Sequence, residues 1–149
     1  MWRALTHPAL LGSWFMQNNL EPVLGHGSTF WMNPQKGWDG ITHCCIIRLD
    51  ALKCLAYTYR GSASGEKTLA RARVNTELTD APGKHIFTQP DTVLSFTLEK
   101  IRGGTRLLLE HSGFTGLKLV IVSLVMGMGW KKQLHKKLPV VLDQMAKLD

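Results

Sequence analysis

The sequence predicts an α+β fold in which a curved antiparallel sheet wraps around one long C-terminal helix. Three observations predict it. Two short helical segments open the chain, period-two runs of apolar residues fill its middle, and the closing stretch repeats apolar residues at three- and four-residue steps. At 149 residues the chain suffices for one sizeable core and not for two, so a single domain over 1–149 is expected. With 44% apolar and 19% charged residues it lies far from the composition of disordered chains.

The opening "MWRALTHPALLGSWF" sets Trp2, Leu5, Leu10, Leu11, Trp14 and Phe15 at helical spacings broken by Thr-His-Pro. One short helix therefore ends at Thr6 or His7, and Pro8 suits the first turn of the next. From Glu21 to Met32 the composition favours a strand bounded by Gly25, Gly27 and Pro34. After the turn "NPQKGWDG", Ile41, His43, Cys45, Ile47 and Leu49 alternate with Thr42, Cys44, Ile46 and Arg48, which predicts a strand whose odd-numbered face is the more apolar and turns inward. Further strands carry Leu55, Tyr57 and Tyr59, then Leu94, Phe96 and Leu98, then Leu107 and Leu109. The last two are joined by "RGG", whose glycines can take the positive φ of a hairpin turn. Four or five antiparallel strands result.

Residues 61–91 are less regular and read as an insertion, its centre "TLARARVNTEL" as an added edge hairpin. Gly113 and Gly116 allow the chain to reverse after the last strand, with Phe114 closing the end of the core. The closing helix has Leu117, Ile121, Leu124, Met128, Leu134, Leu138, Val141 and Met145 as its expected core stripe. Over roughly 30 residues it would extend about 45 Å. Pro139 predicts an interruption near Leu134 to Leu138, and Gly127 and Gly129 predict a close approach to the sheet or a bend.

The formal charge of +7 fits either an anionic partner or a basic soluble protein. Its densest run, "KKQLHKK", spreads four lysines around a helix and has no aromatic platform beside it, so nucleic-acid binding is not expected. Three cysteines, Cys44, Cys45 and Cys54, with no secretory signal, argue against a disulfide framework and for the cytoplasm. Adjacent strand positions point Cys44 and Cys45 to opposite faces, against a shared metal site. The apolar block Leu117 to Trp130 is shorter than the roughly 20 residues of a membrane span. Val120, Val122 and Val125 nevertheless make that block apolar nearly all round, so a homodimer partner or the inserted segment is expected to cover it, in preference to a membrane surface.

Four ordered segments carry a family resemblance. "WRALTHPALLGSWF" resembles the first-helix signature of the START-like, polyketide cyclase-like superfamily, in its branch of activator of heat-shock-protein-90 ATPase homologues. "GWDGITHCCIIRLDALKCLAYTYRG" is similar to that branch's second and third strands, and "TVLSFTLEKIRGGTRLLLEHSGF" and "GMGWKKQLHKKLPVVL" to its final hairpin and closing helix. The resemblance implies a helix-grip fold enclosing an apolar cavity. It also marks two departures: the usual first strand is missing, and residues 61–91 replace a much shorter connection. A missing strand leaves the edge of the Thr105 to His111 strand open, so the insertion or a second subunit is expected to cover it.

The candidate ligand-binding wall comprises Phe30, Tyr57, Tyr59, Phe96, Leu107 and Leu109, facing Met126 and Trp130. His43 and His111 are its polar candidates, with the tyrosines as hydroxyl donors. The same residues would equally make a filled core. A histidine and a tyrosine beside a carbonyl suit proton transfer, yet Glu110 faces away from His111 and no carboxylate is placed to orient either histidine. His26, His43 and His111 have no spacing that fixes a metal shell, and no cofactor is expected. The leading expectation is non-enzymatic binding of a hydrophobic or aromatic small molecule. The alternatives are a cyclase- or hydratase-type enzyme on the same fold, and a chaperone-associated interaction domain.

Overall fold

The computed structural model describes residues 1–34, 39–61, 92–115 and 117–148, with only the backbone described at 117–122 and 125. Helices α1 (Trp2–Thr6) and α2 (Pro8–Trp14) meet at His7, whose extended backbone separates them, and Pro8 starts α2 where no helical N–H is needed. Strands β1 (Gln17–Asn18), β2 (Gly27–Trp31), β3 (Ile41–Asp50), β4 (Cys54–Gly61), β5 (Thr92–Ile101) and β6 (Gly104–Ser112) follow. They form one antiparallel sheet in the order β1-β2-β3-β4-β5-β6, so each strand pairs with its sequence neighbours. Helix α3 (Leu117–Lys132), a π-helical turn (Gln133–Lys137) and α4 (Leu138–Leu148) then run in succession. The expected insertion and its hairpin fall almost wholly outside the described residues.

The helices lie against the sheet face that carries the aromatic residues. Phe30, Tyr57, Phe96 and Trp14 are buried to 1% exposure or less and share one core with Trp130, Leu138 and Val141. Tyr57 stacks on Phe30 at 5.6 Å, Phe96 lies 6.0 Å from Tyr57, and Trp14 meets Phe96 edge-on at 6.4 Å. The Trp14 indole N–H donates to the Ala4 carbonyl at 2.9 Å, which ties α2 back to α1.

Strand β3 departs from its expected orientation. Its inward residues are Thr42, Cys44 and Ile46, whereas His43 and Ile47 face solvent. The register slips between Ile46, opposite Tyr57, and Arg48, opposite Ala56, so Ile47 is an extra residue in a β-bulge. One inserted residue reverses the parity, and Leu49 beyond it packs against the core. The period-two pattern is thus two half-strands of opposite phase. Cys44 is buried, Cys45 is half-buried, and all three cysteines are free.

The core stripe of the C-terminal helices also needs correction at its start. Leu134, Leu138, Val141 and Met145 pack as expected, but Leu124 and Met128 are each 66% exposed. Because α3 is apolar around its circumference, period alone does not select the inward face. Trp130 selects it by reaching Phe15 at 4.7 Å and Phe96 at 6.3 Å. The interruption predicted by Pro139 takes the form of the π-helical turn just before it, where the ladder loosens ahead of the missing N–H. Gly127 and Gly129 show no close approach to the sheet among the described residues: a Cβ at either would meet none of their atoms within 4 Å.

Candidate functional site

The aromatic core is filled at its centre and opens at one side. On β5 the inward residues Thr92, Leu94, Phe96 and Leu98 are all buried, while on β6 their neighbours Leu107, Leu109 and His111 are only half-buried. Among the described residues β6 is the last strand of the sheet, and α3 meets it where Trp130 reaches His111, leaving a gap beside that contact. Between them lies a cleft of about 390 Å³, walled by Leu109, His111 and Phe114 on one side and by Ser123, Met126, Gly127 and Trp130 on the other. Lys131 and His135 stand at its border. A second cleft of about 340 Å³ continues the gap toward Leu107, Leu138 and Leu142 and shares Leu134 and His135 with the first. The two make an elongated groove along the inner face of β6.

His111 is the polar centre of this wall. The indole N–H of Trp130 donates to His111 Nδ1 at 3.2 Å. The Thr92 hydroxyl donates to the Tyr59 carbonyl at 2.8 Å, so at 2.7 Å from His111 Nε2 it must accept, which places the imidazole proton on Nε2. Both ring nitrogens are therefore used. Burial lowers the pKa of His111 to about 4, so the ring is neutral near pH 7. Tyr59 and Phe114 contact it edge-on at 5.3 and 4.7 Å. A neutral histidine whose only lone pair already accepts from Trp130 is a latch holding β5, β6 and α3 together. It has no free site with which to take a substrate proton.

Of the sequence-predicted wall, Leu107, Leu109, His111, Met126 and Trp130 line the groove. Phe30, Tyr57 and Phe96 are fully buried in the packed centre, and Tyr59 is buried behind His111 with its hydroxyl donating to Met16 Sδ at 3.4 Å. Burial raises the pKa of both tyrosines, keeping the phenols protonated. His43 does not belong to the inner face: the β3 parity turns it outward, opposite Thr29 and Arg60. Sequence reasoning missed Ser123, Leu134 and His135 as lining residues. The groove is the space left between α3 and β6 beside the Trp130–His111 contact, and no residue type signals such a gap. Among the described residues no cluster of metal-binding side chains occurs, and no helix is long and apolar enough to cross a membrane.

Comparison with known proteins agrees with this architecture. The crystal structure of protein MLL2253 from Mesorhizobium loti superposes with a TM-score of 0.70 at 29% identity, covering 96% of this chain and 86% of that one. The solution structure of Bacillus halodurans protein BH1534 gives a TM-score of 0.62 at 19% identity over 94% and 84% of the two chains, which speaks for the fold alone. No curated protein matches. Residues 1–143 match the family described as activator of Hsp90 ATPase homolog 1-like protein. A six-stranded antiparallel sheet gripping C-terminal helices, and a family match over nearly the whole chain, make this protein a member of the activator of Hsp90 ATPase homolog 1-like family, with the START-like helix-grip fold.

Proposed function

We propose that this protein binds a hydrophobic or aromatic small molecule, without catalysis, in the groove between β6 and the C-terminal helices. The observation that carries the reading is the half-buried row Leu107, Leu109 and His111, which lines open space together with Met126, Trp130 and Leu134 beside the His111–Trp130 hydrogen bond. Two adjoining clefts of about 390 and 340 Å³ fall within the range of small-molecule sites and favour an elongated ligand. Apolar walls supply the affinity, and Lys131 and His135 at the border supply polar contacts for one end of it. The saturated hydrogen bonding of His111 weighs against the cyclase or hydratase alternative. Three free cysteines suit a reducing compartment such as the cytoplasm.

The test fills the groove from the helix side. Gly127 lines it, and a Cβ there would meet no atom of the described residues within 4 Å. Gly127→Leu should keep the circular dichroism of the parent and lose binding of anilinonaphthalene sulfonate, together with any small molecule that native mass spectrometry finds on the parent protein. Equal binding by parent and variant, or none by either, would refute the groove as the site.

The family and the fold also support a chaperone-associated role. The exposed pair Leu124 and Met128, one turn apart on α3, is an apolar surface suited to it. Co-sedimentation with a purified Hsp90-type chaperone, lost on Leu124→Glu, is the outcome expected of that reading.

A further inference from the structure

The two ends of the sheet differ. At one end β1 has two residues, whereas at the other β6 runs unbroken for nine, Gly104 to Ser112, in a regular register against β5 with no bulge. Among the described residues β6 has β5 as its single strand partner, so its far side presents a row of backbone donors and acceptors. The strand itself has no proline, no bulge and no inward-pointing lysine to blunt it, and its charged residues are one of each sign. Its outward-facing residues are Arg106, Leu108 and Glu110, with Leu108 44% exposed. Arg106 reaches back to Glu99 of β5 at 3.4 Å on the surface, while Glu110 has no charged partner among the described residues.

The sequence of this edge is complementary to itself. In "RLLLE", Arg106 to Glu110, an antiparallel pairing of two copies centred on Leu108 sets Arg106 opposite Glu110 and Glu110 opposite Arg106. It also sets Leu107 opposite Leu109 and Leu108 opposite itself. Cross-strand pairs of opposite charge and of apolar side chains are the units that stabilise antiparallel strands. A slip by one residue would align Leu with Arg and Glu and turn side chains to the wrong faces, so one register is favoured. A two-fold axis through Leu108 makes every contact twice, as a symmetric dimer requires.

We infer that β6 pairs with β6 of a second copy of this chain, centred on Leu108, joining two six-stranded sheets into one. The inward Leu107, Leu109 and His111 of each copy then gain a neighbour beside the groove. The pairing does not depend on a ligand being bound there.

Charge exchange tests the register. Analytical ultracentrifugation of the parent protein should show a concentration-dependent dimer. Arg106→Glu alone and Glu110→Arg alone each create two like-charge pairs across the axis and should weaken dimerisation about tenfold or more. The double variant R106E/E110R restores both pairs and should recover the parent affinity. An equimolar mixture of the two single variants should form a heterodimer, since both of its charge pairs are then opposite in sign; this outcome also shows that each variant is folded. A parent that stays monomeric, as it would if another segment of its own chain occupied the edge, overturns the inference. So does a dimer indifferent to the single exchanges, or a mixture that behaves as its separate components.

Discussion

At the scale of single residues, several side chains carry consequences that their chemistry makes measurable. His111 has its folded-state pKa lowered to about 4 by burial, below the ordinary value of 6.5. Above pH 6.5 both folded and unfolded states hold it neutral and it imposes no penalty. As pH falls from 6.5 toward 4 the unfolded state gains a proton that the folded state resists, so stability declines across that window. Protonation would also turn Nδ1 into a donor facing the Trp130 N–H. Denaturant titrations between pH 7 and pH 4 should show this decline in the parent and a shallower one in His111→Gln. Gly40 has φ +85°, and a Cβ there would overlap the Met32 carbonyl oxygen, so Gly40→Ala should cost more than the roughly 1–2 kcal/mol of the left-handed conformation alone. Leu52 adopts φ 64° in the β3–β4 turn with 68% exposure; Leu52→Gly should raise the melting temperature, by relief of about 1 kcal/mol. The buried Tyr57 hydroxyl has no hydrogen-bond partner among the described residues. Tyr57→Phe is therefore expected to leave stability unchanged or to raise it by about 1 kcal/mol, and to leave groove binding intact.

At the scale of elements, the sequence was legible where period and punctuation agree. Pro8 separated the two N-terminal helices, and the β5–β6 hairpin closes through Arg102 and Gly103 with Gly103 at φ +84°. It was misleading where one extra residue reset the phase. Nothing in the composition of β3 marks Ile47 as the bulge, and without it His43 reads as inward. The opposite difficulty arose in α3, where apolar residues on every side left the inward face undetermined until Trp130 was placed. Strand β1 escaped detection because two residues carry no period. Trp130 joins α2, β5, β6 and α3 through Phe15, Phe96 and His111. Trp130→Ala should consequently cost about 3–5 kcal/mol in denaturant unfolding. Gly129, exposed and with room for a Cβ among the described residues, gives the contrasting case: Gly129→Ala should stabilise α3 by about 0.5–1 kcal/mol in a thermal melt.

At the scale of the whole molecule, the sheet, its gripping helices and the family were all readable from ordered segments of sequence, because each element is specified locally and the family joins them in a fixed order. The site was only half readable. Every residue chosen for it except His43 lies on the inner face, but depth divides them. Phe30, Tyr57 and Phe96 pack to exclusion of solvent, while Leu107, Leu109, His111, Met126 and Trp130 border open space. That division depends on how far the helices stand from the sheet at β6, a distance set by the sum of the packing and not by any one residue.

The brevity of β1 has a bearing on assembly. Adding a foreign strand to a sheet is a chain reaction if the newcomer offers a fresh template at its other side. Here that other side ends in Gln17 and Asn18, too short a template for further growth. Association through the long margin alone terminates after one step, which favours a discrete pair of molecules over a filament.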